Sequence, residues 1–102
     1  MRYKTYILYD DKGVKIGKVL SHSNFINRIR TLQIGNPNKI IPLGGFNRDI
    51  ETELHREFKA YKIRGEWFDP FILSFLLGKE GFLDIMRFKE HLYLKHRLSF
   101  FS

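Results

Sequence analysis

The sequence predicts a single α+β domain, with a small three-stranded antiparallel sheet flanked by helices and followed by C-terminal helices. The 102 residues suit one domain, and 43% of them are hydrophobic, which is enough for a core. Two strand-like runs joined by a short turn open the chain. Apolar residues at helical spacing follow on either side of a third strand-like run, which indicates the order β-β-α-β-α.

The first two elements are predicted to form a hairpin. Residues 3–9 are rich in Tyr, Ile and Leu, as strands are, and residues 14–20 alternate apolar and polar side chains before ending on Val and Leu. Between them, residues 10–13 form an Asp-Asp-Lys-Gly turn cluster in which Gly13 is free to adopt a positive φ.

A helix and a third strand are predicted next. Polar residues 21–24 offer N-caps, and the helix stripe that follows is Phe25, Ile29 and Leu32. Gly, Asn and Pro at residues 35–37 end this helix. Residues 39–46 form the third strand, and its Gly44-Gly45 pair indicates a β-bulge.

A second helix is predicted to begin at Asn47 or Asp49, with the apolar stripe Ile50, Leu54, Phe58 and Tyr61. Residues 62–68 show no clear period. Pro70 can open a short helix over residues 71–77, and a last amphipathic helix runs from Phe82 to about residue 97. Residues 70–102 are therefore expected to be a C-terminal helical extension that either covers the core or forms a dimer face.

The charge of the chain indicates a polyanionic partner. The formal net charge is +7, and residues 1–40 supply +6 of it through eight Lys and Arg against two Asp. Nucleic acid and an anionic membrane surface are the leading partners, and a basic surface without a function is the alternative. The longest nearly apolar run, residues 70–77, is too short to span a bilayer, and no signal peptide is evident. A cytoplasmic protein, in the host cell if the source is a phage or virus, is expected.

Several functional classes lack their motifs. The chain has no cysteine, which excludes disulfides and thiolate metal sites. It has no HExxH, no zinc spacing, no P-loop and no GxGxxG, and its four histidines are scattered. The remaining evidence for function therefore lies in the polar residues of the predicted strands and helices.

Five short stretches occur in a distinctive order. They are Tyr6-Ile7-Leu8-Tyr9, Val14-Lys15-Ile16-Gly17-Lys18, the Asn-Arg-Ile-Arg-Thr-Leu-Gln run at 27–33, Glu51-x-x-Leu54-His55 and Arg64-Gly65-Glu66-Trp67-Phe68. Together they resemble the GIY-YIG nuclease superfamily, and more narrowly its phage and viral branch, in which KIG stands for YIG. The branch's L-Q-x-G-N-P helix end is similar to residues 32–37. The resemblance covers about residues 3–69 of the chain.

The resemblance implies a DNA endonuclease that depends on Mg²⁺ or Mn²⁺. It places Tyr6 at the tyrosine of the first motif, Lys15 at the second tyrosine of most members, and Gly17 at the motif glycine. It places Arg28 at the arginine of the first helix and Glu51 at the metal-binding glutamate. Many members also have a late asparagine near the active site, and this chain has no match for it near residue 63.

The chemistry of phosphodiester hydrolysis agrees with these residue types. A carboxylate such as Glu51 can hold Mg²⁺, and the planar fork of Arg28 suits a phosphate. Tyr6 can manage a proton if a neighbouring cation such as Lys15 assists it. Because the two lie on adjacent strands of the predicted hairpin, they are expected to sit across from each other on one face. His55 lies one helical turn after Glu51 and points the same way, so it is a further catalytic candidate.

The expected partner is double-stranded or branched DNA, contacted by Lys15, Lys18, Arg28 and Arg30, and a homodimer through the C-terminal helices is one option. Two other hypotheses stay open. The same fold can bind nucleic acid without cutting it, or act as an inhibitor or adaptor that binds a protein through its hydrophobic tail. Taken singly, each candidate has an ordinary alternative as a half-buried strand tyrosine, a solvated lysine or a surface helix residue.

Overall fold

The protein is described by a computed structural model over residues 3–19 and 22–84, the side chains of residues 22–26 excepted. It is an α+β fold with one antiparallel sheet in the strand order β4-β5-β2-β1-β3-β6. The elements are β1 Thr5–Asp10, β2 Gly13–Lys18, α1 His22–Ile34, β3 Ile41–Phe46, α2 Glu51–Glu57, β4 Lys62–Arg64, β5 Trp67–Phe68, α3 Leu73–Leu76 and β6 Leu83–Asp84, with 3₁₀ turns at Lys59–Tyr61 and Pro70–Ile72.

The β1–β2 hairpin forms as predicted, and the Asp10 side chain closes its turn. Its Oδ1 accepts hydrogen bonds from the backbone N–H groups of Lys12 and Gly13, both at 2.8 Å. Tyr6 pairs with Gly17, while Lys15 pairs with Leu8. Tyr6 and Lys15 therefore share a face of the sheet, but they are diagonal neighbours and not directly opposite each other.

β3 contains a bulge, which lies directly before the two glycines at which it was predicted. Ile7 of β1 pairs with Gly44, whereas the next residue, Leu8, pairs with Pro42, so Leu43 is the extra residue. Gly45 pairs with Tyr6 across the β1–β3 ladder. The bulge thus bends the central strands beside the tyrosine of the first motif.

The prediction of a three-stranded sheet was wrong, because three short strands extend it. Residues 62–68 form the hairpin β4–β5 beside β2, and β6 pairs with the glycines of β3. Strands of two or three residues are too short for an apolar period to register. They form because β2 and β3 offer unpaired backbone edges. β6 also replaces the start of the helix predicted from Phe82, and the remainder of that helix lies outside the described residues. In the described part of the extension, Ile72, Leu73, Leu76 and Leu77 are buried in the core, while a dimer face stays a prediction.

The start of α2 is fixed from β1 and not by either predicted cap. Ile50 precedes the helix, and no side chain caps it. The buried hydroxyl of Thr5 accepts a hydrogen bond from the Ile50 N–H at 2.9 Å and donates one to the Arg48 carbonyl at 2.8 Å. The helix also ends at Glu57, before the predicted Tyr61, and a 3₁₀ turn follows. This anchoring sets where the first turn of α2 meets the sheet.

The two faces of the sheet differ in size. On one face, which we call the core face, α2 and α3 pack against β1, β2, β3 and β5 around buried residues such as Ile7, Ile16 and Leu54. On the other, the α1 face, Tyr6 and Leu8 form a small buried cluster with Ile40, covered in part by side chains of α1. Among the described residues, no helix is long and apolar enough to cross a membrane.

Candidate active site

The candidate site lies at the edge of β2 where its pairing with β5 ends. Ile16 donates its backbone N–H to the Glu66 carbonyl at 3.1 Å, and this is the last bond between the two segments within the described residues. The carbonyl of Ile16 instead bonds the Nε2 of His55 at 3.0 Å. Because a carbonyl only accepts, Nε2 carries the proton in this contact. The imidazole thus takes the place that a neighbouring strand would occupy.

A carboxylate from each side of this edge meets the imidazole. The ligand atoms of Glu51, His55 and Glu66 all lie within 4.8 Å of one another, and Glu51 Oε1 is 4.0 Å from His55 Nε2. Burial raises the pKa of Glu51 above its usual value, and the Glu66 carboxylate raises it further, whereas His55 opposes the shift. Two carboxylates held together in this way fit a divalent cation, which would offset their repulsion. The donor set does not select Mg²⁺, since an imidazole also suits Mn²⁺ and other transition metals.

Arg28 and Tyr6 approach the same site from the α1 face. The Arg28 guanidinium hydrogen-bonds the Tyr6 hydroxyl, and the Arg28 side chain remains exposed on α1. Burial is the largest cause that raises the pKa of Tyr6 above its usual value of 10.0, with Glu66 and Glu51 adding to it and Arg28 opposing it. The phenol therefore keeps its proton at neutral pH, and the carboxylates that raise its pKa are those of the candidate cation site.

The glycine of the second motif makes room for the tyrosine of the first. Gly17 lies opposite Tyr6 in the hairpin, and a Cβ added at Gly17 would overlap the Tyr6 ring and hydroxyl. The backbone of Gly17 does not adopt a positive φ. Its role is thus the space it leaves for Tyr6.

Lys15 reaches the site through Glu66. Its ammonium is almost fully buried and donates to Glu66 Oε1 at 2.7 Å, while the Glu66 side chain remains 31% exposed. The same ammonium lies 5.7 Å from the centre of the Trp67 ring. The buried Lys15 ammonium therefore orients the Glu66 carboxylate, one of the two in the cluster.

The structure brings Tyr6, Arg28, Glu51 and His55 to one site, and it adds Glu66, which sequence reasoning did not assign. Glu66 stands in the Arg64-Gly65-Glu66-Trp67-Phe68 stretch that contributes to the resemblance. The sequence therefore drew attention to this stretch, but only the fold places the Glu66 carboxylate beside Glu51 and His55. Gly65 has a φ of 52°, a left-handed conformation that suits glycine and turns the chain so that Glu66 reaches the edge of β2.

The two remaining DNA-contact candidates are peripheral. Lys18 pairs with Asp49 at 3.0 Å on the surface, where both side chains are about half exposed, and this partner raises the pKa of Lys18. Lys18 is close enough to Glu51 to lower the pKa of that carboxyl. Arg30 is exposed on α1, and no described contact connects it to the cluster.

Comparison with known proteins does not assign a family. No family model matches the chain, nor does any curated protein or solved structure.

Proposed function

We propose that this chain is a small metal-dependent DNA endonuclease of the GIY-YIG type, with Mg²⁺ or Mn²⁺ as its cofactor. One observation carries the proposal: the catalytic candidates, which are far apart in sequence, converge on the open edge of β2. They come from β1, α1, α2 and the β4–β5 turn, and they are Tyr6, Arg28, Glu51, His55 and Glu66. A structural network needs no exposed arginine on a tyrosine whose hydroxyl lies near two carboxylates, whereas phosphodiester hydrolysis uses both kinds of charge.

The anionic substrate is bound first by Arg28. Its guanidinium is exposed, is already oriented by the Tyr6 hydroxyl, and can bond two phosphate oxygens at once. Charge that develops on the phosphoryl oxygens in the transition state is stabilised by the same group. The net positive N-terminal part of the chain increases the local concentration of DNA.

A cation would be held by Glu51, with Glu66 and His55 completing the cluster; His55 would bind it through Nδ1, because Nε2 donates to the Ile16 carbonyl. When bound, a divalent ion supplies Lewis acidity to the phosphoryl oxygen and makes water easier to deprotonate. The positions of these ligands are maintained by Thr5 at the start of α2, by the Ile16 carbonyl on His55, and by Lys15 on Glu66. His55 and Glu66 thus each have a contact that fixes the direction of the side chain, whereas Thr5 fixes the backbone from which Glu51 extends.

Tyr6 handles the proton of the attacking water. In the unliganded site its phenol is protonated, so it enters the reaction as a hydrogen-bond donor held by Arg28. The protonated phenol could accept the proton of the water only by passing its own proton on to solvent, so its role would be that of a relay. A cation held by Glu51 and Glu66 would offset the two charges that help to raise the pKa of Tyr6 and would thereby favour this relay. Lys15 acts in this scheme as a positioning residue, because its ammonium contacts Glu66 and is buried from substrate.

A nucleic-acid-binding module without cleavage is the second candidate, and the Lys15–Glu66 ion pair favours it. An ammonium 2.7 Å from Glu66 already neutralises one carboxylate of the cluster, which weakens its attraction for a cation. The endonuclease and the binding module would share the basic surface and differ only in whether DNA is cut.

The test compares supercoiled and linear DNA incubated with Mg²⁺, with Mn²⁺ and with EDTA, using the wild type and Glu51→Gln. Nicking or linearisation that requires a divalent ion and disappears in Glu51→Gln is the expected result. Intact DNA under every metal, together with a gel shift that weakens steeply with salt, would instead establish the binding module. Glu53→Gln is the matched control, since Glu53 is an exposed glutamate of the same helix turn outside the cluster.

A further inference from the structure

A cavity of about 540 Å³ lies on the α1 face, outside the candidate active site. It is bounded by the end of α1, the loop that follows it, the β1–β2 turn and the β4–β5 hairpin. This volume is in the range of small-molecule and nucleotide sites. The L-Q-x-G-N-P stretch, which the proposed chemistry does not use, forms one of its walls.

The polar side chains of that stretch are committed to building the cavity wall. Gln33 donates its amide to the Asn38 carbonyl at 2.9 Å and accepts from the Ile40 N–H at 2.8 Å. Asn36 donates to Asp10 Oδ2 at 2.7 Å and accepts from the Asn38 N–H at 2.9 Å. The loop after α1 is thereby fastened to the hairpin turn, and the cavity is held open by hydrogen bonds.

The negative charge in the wall is already satisfied. Both oxygens of Asp10 are bonded, one to the backbone N–H groups of Lys12 and Gly13 and the other to Asn36, and the residue is buried. No other carboxylate lines the cavity among the described residues. The charged groups at its mouth are the side chains of Lys12 and Arg64, which are exposed and form no ion pair within the described part of the chain.

Three large apolar side chains also line the cavity. Trp67 and Leu32 are partly buried, and Ile63 is 55% exposed. An aromatic wall with two cations at the rim suits a planar ring attached to an anion, which describes a nucleotide. A base within a duplex is stacked on both sides and cannot enter such a cavity unless it leaves the stack.

We propose that this cavity binds one unpaired nucleotide of the DNA strand, with the base against Trp67 and Ile63 and the phosphate at Lys12 and Arg64. The inference rests on the proposed function for the identity of the ligand. Trp67 connects the two sites, since it follows Glu66 in the chain and lies beside the Lys15 ammonium. A strand anchored here passes the cluster that contains Glu66, so the preferred substrate has a single-stranded or branched segment beside the bond to be cut.

Trp67 is the only tryptophan of the chain and lines this cavity, so its fluorescence is the readout, and the cavity variants below separate binding in the cavity from effects at the neighbouring Lys15 and Glu66. The full chain with Glu51→Gln, in EDTA to prevent cleavage, is titrated with four ligands: a short single-stranded oligothymidylate, an abasic strand of equal length, a blunt hairpin duplex and thymidine monophosphate. We expect the oligothymidylate to quench the fluorescence and the abasic strand to bind about tenfold more weakly without quenching. Equal quenching by the abasic strand or the duplex would overturn the proposal, as would monophosphate binding as tightly as the strand.

Two cavity variants with matched controls locate the effect. Arg64→Ala is compared with Arg56→Ala, which removes the same charge from α2 on the core face. Ile63→Asp is compared with Leu83→Asp, another exposed apolar residue, in the strand at the opposite edge of the sheet. Both cavity variants should weaken oligothymidylate binding about fivefold or more and reduce quenching, while both controls stay within about twofold of the parent. Cavity variants that behave like their controls would refute the site.

The outcome is separable from that of the proposed function. If the chain never cuts DNA but shows base-dependent quenching that Arg64→Ala removes, the endonuclease fails and the nucleotide cavity stands. If metal-dependent cleavage occurs with the same rate on a duplex and on a branched substrate, and Ile63→Asp leaves both rates unchanged, the endonuclease stands and the cavity fails.

Discussion

The core face and the α1 face of the sheet perform different tasks. On the core face the buried cluster is apolar and includes side chains from α2 and α3, so its packing stabilises the fold. On the α1 face the buried cluster is small, and a lysine is buried beside it with its charge compensated by Glu66. The polar side chains of the site thus lie outside the main apolar core. Glu51 and His55 of α2, which lie at the edge of β2, complete the site.

The largest effect is expected for Arg28→Ala on the α1 face. If Arg28 stabilises charge on the phosphoryl group, its loss should reduce the cleavage rate about 10²- to 10³-fold. The free energy of unfolding should stay within about 0.5 kcal/mol, because the side chain is exposed. Single-turnover cleavage and urea unfolding measure the two effects. Arg30→Ala is the control on the same helix, and a similar loss of rate in that variant would remove the role assigned to Arg28.

A core-face substitution should show the reverse. Leu76 is fully buried in α3, so Leu76→Ala should lower the free energy of unfolding by about 2–5 kcal/mol. Cleavage per folded molecule, measured at low temperature, should change less than about threefold, because Leu76 packs in the apolar core and is not one of the site residues. Leu83→Ala removes a leucine that is 45% exposed and should cost far less stability. Comparable losses in the two variants would contradict the division between the faces.

The coupling between Lys15 and Glu66 can be measured by a double-mutant cycle. Lys15→Met leaves Glu66 beside a buried apolar side chain and should destabilise the fold by about 1–3 kcal/mol, a range kept low because Glu66 is 31% exposed. Lys15→Met combined with Glu66→Gln should recover most of that loss, because no charge is then left unpaired. Because Lys15 neutralises Glu66, Lys15→Met should bind Mn²⁺ more tightly than the wild type, and the double variant, which lacks the Glu66 charge, should bind it less tightly. Additive losses in the double variant would show that the pair is not coupled.

The smallest effect is a gain in stability from removing Glu51. Burial and Glu66 raise the pKa of Glu51 in the folded state above its usual value of 4.5. Its contribution to stability is therefore present below pH 4.5 and is lost as the pH rises through the higher folded pKa. In EDTA at pH 7, Glu51→Gln should be slightly more stable than the wild type, and the difference should shrink as the pH falls. A variant that is less stable at pH 7 would mean that Glu51 supports the fold.

Much of the order of elements can be read from the sequence. The β1–β2 hairpin, α1, β3 and α2 follow from turn residues and apolar spacing, which act over a few neighbouring residues. The strands β4, β5 and β6 could not be predicted in this way, because they are too short to carry a period and depend on the unpaired edges of β2 and β3. The same holds for the start of α2, which a hydroxyl from β1 sets across the sheet.

For the candidate site, the sequence by itself identified the residue types and their order, through motifs in which Tyr6, Lys15, Arg28, Glu51 and His55 stand at meaningful spacing. Only the tertiary structure placed Glu66 among them, made Tyr6 and Lys15 diagonal neighbours, and showed that Lys15 faces a carboxylate. The physical reason is the distance along the chain over which each effect acts. Local patterns determine which elements form, whereas charge pairing, burial and shifted pKa values arise between residues that meet only when distant strands and helices pack.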